Sequence, residues 1–106
     1  MSEELILNEI ENNTKEYIEF LRTLIKTDSY NPPGNEMNLA LKIKEFLKDT
    51  NIKCDIFPFG ENRANLVAYL NDNFNNKNLL YNGHMDCVLP GSASDWRFPP
   101  LSATVK

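Results

Sequence analysis

The spacing of apolar residues changes once along this chain, and that change fixes the class of fold open to it. Before Asp49-Thr50-Asn51, the residues Leu7, Ile10, Tyr17, Leu21 and Leu24 recur at three- and four-residue steps, interrupted at Thr14. After it, Ile52, Cys54 and Ile56 alternate with Lys53 and Asp55, the mark of a strand with one face covered. Side chains three or four apart share a helix face; side chains two apart share a strand face. A chain that opens in helices and continues in strands must bury stripe against sheet. The class is therefore α/β, with two N-terminal helices packed on a mixed sheet.

The first periodic stretch predicts one helix over 3–26, weakest at Asn12-Asn13 because Asn is a modest helix former. Thr27-Asp28-Ser29-Tyr30-Asn31-Pro32-Pro33-Gly34 ends it. Two prolines and a glycine break a helix, and a residue before proline is extended. Asn35 is placed as the N-cap of a second helix over 35–48, with Leu39, Ala40, Ile43, Phe46 and Leu47 on its apolar face. Strands are expected at 52–58, closed by Pro58 and Gly60, and at 64–70, an apolar run suited to cover on both faces. A third is expected at 78–83 through Leu79-Leu80-Tyr81. The Asn-rich stretch 71–78 reads as a loop, and 102–106 as the start of another strand. The expected core is Leu21, Leu24, Ile43, Leu47, Leu66, Val67, Ala68, Leu79 and Leu80. Two helices leave one face of such a sheet poorly covered, so the pattern reads as the front part of a larger domain.

Composition removes several functions. At 106 residues with 42% hydrophobic and 25% charged, the chain suits one small globular domain rather than a disordered segment. Its net charge of -4 lacks the basic excess of a nucleic-acid binder. No apolar run approaches the roughly 20 residues that span a bilayer. Met1-Ser2-Glu3-Glu4 is acidic, unlike the start of a secretory signal, so a cytoplasmic setting is expected. Cys54 and Cys87 form no C-x-x-C pair and are expected to be free thiols. The chain has one histidine, His84. A catalytic zinc site takes about three protein ligands, so this chain alone hardly assembles one.

The sharpest local feature is Leu79-Leu80-Tyr81-Asn82-Gly83-His84-Met85-Asp86. An apolar strand delivers His and Asp at its C-terminal end, where ligands bind in α/β sheets. Residues two apart in extended backbone face the same side. Asp86 is therefore placed to fix the imidazole's tautomer while the other ring nitrogen binds a metal, or to raise the basicity of a catalytic histidine. Gly83 leaves room for close approach. An isolated H-x-D is more often a strand-end histidine bonded to a turn. For Arg63, an ion pair or strand-edge role outweighs binding of a substrate carboxylate. Trp96, close to Pro99 and Pro100, reads as a lid on a small core. The acidic start is a solvated helix face, and the segment from Tyr30 to Gly34 a helix breaker.

The H-x-D does not stand alone. Arg63-Ala64-Asn65-Leu66 leads the second strand, and Val88-Leu89-Pro90 and Trp96-Arg97-Phe98-Pro99-Pro100-Leu101 follow the motif. Together these resemble the N-terminal part of the dinuclear-zinc deacylases and exopeptidases: acetylornithine deacetylase, succinyl-diaminopimelate desuccinylase, aminoacylase, carboxypeptidase G and related dipeptidases. In that family an R-x-N-L strand precedes an apolar strand ending in G-H-x-D, then a Pro and a W-x-x-P-P-F segment. The resemblance covers essentially the whole chain. Cys87 stands where Val is usual and Leu101 where Phe is usual; both are apolar exchanges, and packing is the expected role of Cys87.

The resemblance implies a zinc-exopeptidase-like catalytic domain of which residues 1–106 are the N-terminal portion. It implies that His84 is a metal ligand and that Asp86 orients it. It implies two zinc ions per complete site, with cobalt or manganese as alternatives, and an N-acyl amino acid or small peptide as substrate. The family's bridging Asp, its Glu-Glu pair, its late His and the lid domain through which members dimerise have no counterpart in these residues. The chain by itself is therefore expected to be inactive. The alternatives are a truncated non-catalytic remnant or a small interaction module.

Overall fold

The computed structural model describes residues 2–70, 75 and 77–106. The first helix, α1, spans Glu3–Lys26, the range its periodicity predicts. The Ser2 hydroxyl accepts from the Leu5 N–H at 3.3 Å, and Glu3 and Glu4 sit in the first turn, where the helix dipole favours negative charge. Asn13 does not interrupt the helix because its amide donates to the Glu9 carbonyl at 2.8 Å and to the Glu9 carboxylate at 2.9 Å. The Thr14 hydroxyl turns back to the Ile10 carbonyl four residues earlier, at 2.8 Å.

The second helix, α2, spans Glu36–Leu47. Asn35 occupies the cap position but makes no capping bond; its amide donates to Asp28 Oδ2 at 3.4 Å. One orphan donor of the first turn is satisfied from another element, the Met37 N–H bonding the Asn62 carbonyl at 2.9 Å. The helices meet where the Phe20 and Phe46 rings stack, centroids 3.7 Å apart.

Strands β1, Lys53–Gly60, and β2, Arg63–Tyr69, form an antiparallel hairpin with Ile56 opposite Leu66 and Lys53 opposite Tyr69. Pro58 and Gly60 lie inside β1, not beyond it, and a bulge falls between them. Both strands of a two-stranded sheet are edges, where proline is tolerated. Asn62 turns the hairpin at φ 56, a left-handed angle that Asn accepts. α2 packs on both strands, whereas α1 touches only α2 among the elements.

The architecture is α/β, but among the described residues the sheet is two-stranded and antiparallel rather than mixed. The strand expected at 78–83 is not formed: Leu79, Leu80 and Tyr81 are 77%, 83% and 86% exposed and pair with no strand among the described residues. A strand needs a neighbour to take up its backbone polar groups, and no ladder with a described residue forms here. Residues 102–106 likewise form no strand. Of the loop expected over 71–78, residues 71–74 and 76 lie outside the described residues.

The core also differs from expectation. Leu39, Ala40 and Ala64 are buried, with the polar Ser29 and Glu36. Leu24, Ile43, Leu47 and Leu66 are half-buried, and Leu21, Val67, Ala68, Leu79 and Leu80 are exposed. β2 is thus not covered on both faces. Periodicity finds the apolar face of an element, whereas depth depends on what crosses it. Here the deepest point lies where the first turns of α2 cross the start of β2. Among the described residues no helix is long and apolar enough to cross a membrane.

Candidate functional site

The H-x-D segment is held by the turn between the helices. The Asn31 N–H donates to the Cys87 carbonyl at 2.8 Å and the Cys87 N–H to the Ser29 carbonyl at 3.0 Å, a parallel bridge between Tyr30 and Cys87. The turn is itself closed. Asp28 Oδ1 accepts from the Tyr30 N–H at 2.9 Å, and the Gly34 N–H reaches the Tyr30 carbonyl at 2.8 Å. The buried Ser29 hydroxyl contacts Cys87 Sγ at 3.6 Å. Cys87 is exposed, so it fills no core as expected; the neighbouring helix turn claims its backbone instead.

His84 and Asp86 meet, as their spacing predicts. His84 Nδ1 lies 2.8 Å from the Asp86 carbonyl oxygen and 3.1 Å from Asp86 Oδ1. Both oxygens only accept, so Nδ1 carries the hydrogen and Nε2 of the neutral ring keeps its lone pair. Nε2 has no partner among the described residues. The other carboxylate oxygen of Asp86, Oδ2, accepts from the Asn31 amide at 3.1 Å. The Asn31 hydrogen bond, and after it the His84 bond, hold the Asp86 carboxyl below its ordinary range against the opposing effect of burial.

A second charged pair stands across a cleft of about 450 Å³ whose lining includes Glu36, Phe59, Arg63, Asn82, His84 and Asp86. Arg63 Nε donates to both Glu36 oxygens at 3.2 Å, and a terminal nitrogen reaches Glu36 Oε1 at 2.6 Å. The guanidinium also lies 5.0 Å from the Phe59 ring centre. Arg63 is thus the ion-pair residue expected, and it is already engaged. A Cβ on Gly34, at φ +102, would meet Arg63 Nε at 2.7 Å. The pair therefore also packs against the turn that holds Asp86.

On the other side of His84 lies an apolar cleft of about 600 Å³, walled by residues such as Leu24, Tyr30, Leu39, Val88, Trp96 and Leu101. Trp96 covers part of it, its indole N–H donating to the Pro90 carbonyl at 2.8 Å. Cys54 and Cys87 are free, as expected, and burial pushes the Cys54 thiol up.

Among the described residues no group of three or more His, Cys, Asp and Glu side chains could hold a metal ion. With its proton on Nδ1, His84 could offer Nε2 to a metal as one ligand, and no further ligands are assembled around it among the described residues. Sequence reasoning missed Asn31 and Ser29, which stand 55 and 58 residues from their side-chain partners Asp86 and Cys87. The Asp28-Ser29-Tyr30 turn chemistry was visible, but nothing local links it to residue 86.

No family model and no solved structure matches the chain. Curated proteins do. A probable succinyl-diaminopimelate desuccinylase of Staphylococcus aureus is 32% identical over 92 residues, 87% of this chain and 22% of that protein. The succinyl-diaminopimelate desuccinylase of Wolbachia pipientis is 33% identical over 90 residues, 84% of this chain and 21% of that protein. An N-formyl-4-amino-5-aminomethyl-2-methylpyrimidine deformylase of Halalkalibacterium halodurans is 26% identical over 105 residues, 96% of this chain and 25% of that protein. The chain spans about a fifth to a quarter of the length of these relatives. Over most of its length this chain is thus similar to part of the succinyl-diaminopimelate desuccinylases and to part of a deformylase, in line with the resemblance its sequence carries.

Proposed function

We propose that this chain is the histidine-bearing portion of a metal-dependent hydrolase that cleaves the amide bond of N-acyl amino acids or small peptides. The observation that carries the reading is the fixed imidazole. Asp86 holds the proton on Nδ1, which leaves Nε2 of His84 with a lone pair and no partner among the described residues. The names of the relatives, a desuccinylase and a deformylase, both describe removal of an acyl group. Two zinc ions, or cobalt or manganese, would polarise the amide carbonyl and lower the pKa of a bound water. His84 would hold one of them through Nε2. Asp86 would keep the ring in the ligating tautomer and strengthen its basicity.

The test is metal stoichiometry beside turnover in the full-length protein. His84→Ala is expected to remove most metal from one site and nearly all activity. Asp86→Ala is expected to be milder, at about 10- to 100-fold in affinity or activity. A His84→Ala protein that is less stable but keeps its metal and its turnover per folded molecule would return His84 to a structural role. The 106-residue chain alone is expected to show no chelator-sensitive hydrolysis of N-succinyl-diaminopimelate, N-acetylornithine or dipeptides.

A further inference from the structure

We propose that Asn31 is a positioning residue for His84: its side-chain amide holds the Asp86 carboxylate, which, beside the Asp86 backbone carbonyl, keeps the imidazole proton on Nδ1. That this serves metal binding rests on the reading of His84 given above. That it fixes the tautomer does not.

His84 and Asp86 are open to water, their side chains 84% and 36% exposed. A contact between two such groups is weakly ordered on its own, because water competes for both and a carboxylate rotates over a broad, roughly two-fold well. The carboxylate here is gripped from both ends. Oδ1 faces His84 Nδ1 at 3.1 Å, and Oδ2 faces the Asn31 amide at 3.1 Å. An acceptor-only carboxylate requires the amide to present its NH₂ group, so the direction of the bond is fixed.

Asn31 is itself anchored. Its N–H bonds the Cys87 carbonyl at 2.8 Å, the residue next to Asp86, and its side chain belongs to a half-buried residue. The tether therefore cannot drift relative to the group it holds. An amide is also the right chemistry for the position. Donating to the carboxylate, it favours the ionised form, yet being neutral it does not compete with Asp86 for the imidazole proton. A lysine or arginine there would neutralise the charge that makes Asp86 a strong acceptor toward His84.

Because His84 is the sole histidine of the chain, ¹⁵N NMR of the imidazole reads one ring without ambiguity. It is measured at a pH where the ring is neutral. The Nδ1–H form is expected to dominate in the parent chain. Asn31→Ala should shift the tautomer ratio toward Nε2–H by about 2- to 10-fold, the worth of one hydrogen bond. Asn31→Asp, the same shape with a repelling charge in place of the donor, should shift it at least as far. That isosteric variant keeps the test open if the alanine protein does not fold. In an Asp86→Ala background, Asn31→Ala should change the ratio no further, since coupled residues are not additive. In the full-length protein Asn31→Ala should weaken zinc binding by less than Asp86→Ala does.

An unchanged ratio in folded Asn31→Ala and Asn31→Asp chains overturns the proposal. So does an Asn31→Ala effect of equal size with and without Asp86. The two readings fail separately. A tautomer shift in a protein whose His84→Ala variant keeps its metal sinks the metal-ligand reading and leaves the relay. Loss of metal in His84→Ala with no tautomer shift sinks the relay and leaves the ligand.

Discussion

Gly34 shows how the site depends on single residues that do no chemistry. Its φ of +102 is a conformation side chains rarely adopt, and a Cβ would approach Arg63 Nε to 2.7 Å. Arg63 cannot easily withdraw, because Glu36 holds it by three hydrogen bonds. Gly34→Ala is therefore expected to destabilise the fold by about 1–3 kcal/mol, read as a lower denaturation midpoint. An unchanged midpoint would show that Arg63 yields freely. Glu36 adds a pH dependence. Its carboxyl is lowered, first by the Arg63 hydrogen bond, although burial opposes the shift. A carboxyl lowered in the folded state contributes stability that is fully present above its unfolded value and is lost as pH falls through the folded one. Stability is thus expected to decline on acidification from the ordinary Glu range downward. Glu36→Gln should lower stability at neutral pH and flatten that decline. A Gln variant with the same acid slope as the parent would assign the slope to other carboxylates.

At the scale of elements, α1 meets α2 around one aromatic pair and is tied to the C-terminal segment by Arg22, whose Nε donates to the Ala103 carbonyl at 2.9 Å. The Phe20 and Phe46 rings lie 11° from parallel, and α1 touches no strand. Phe46→Ala is expected to cost about 1–2 kcal/mol, the stack plus the area of a half-buried ring. It should also speed amide hydrogen exchange in α1 more than in α2. Equal effects on both helices would mean that α1 is held elsewhere. These helices were legible in the sequence because a helix closes its own hydrogen bonds. The Pro-Pro-Gly turn marks where α1 must end, and its apolar spacing gives the face. β1 and β2 were legible because a two-residue turn joins them, so each found its partner in the nearest sequence. Leu79-Leu80-Tyr81 has the same strand-like composition without such a neighbour, and composition cannot supply one. The candidate site divides the same way. His84 and Asp86 are two residues apart and their contact was expected. Asn31 reaches Asp86 across 55 residues, beside an isolated bridge between Tyr30 and Cys87 that no local pattern encodes.

The whole molecule is open for its length. Its radius of gyration is 16.5 Å, where a compact chain of this size would have about 13 Å. Apolar side chains account for much of the outer surface: Leu5, Leu7 and Leu21 on α1 are 60%, 52% and 55% exposed, and Leu79, Leu80 and Tyr81 are more so. Exposed apolar surface of this extent favours association. The isolated chain is therefore expected to self-associate as its concentration rises, visible in sedimentation. The doubly substituted chain Leu79→Lys, Leu80→Lys discriminates between the two descriptions of this segment. If 79–81 is unpaired, as the structure has it, the substitutions remove no packing. Stability should then change by no more than about 0.5 kcal/mol, the usual range for exposed sites, while self-association falls and solubility rises. If the segment is a strand buried against the rest of the chain, as its composition suggests, two lysines would each lose the burial of a Leu. The loss would be about 1.5–3 kcal/mol apiece, enough to unfold a domain whose deepest apolar side chains are Leu39 and two alanines. A monomeric, fully folded double variant with an unshifted denaturation midpoint supports the open structure. Loss of the folded state would show that these leucines are part of the core, and that Leu79-Leu80-Tyr81 pairs as its sequence predicts.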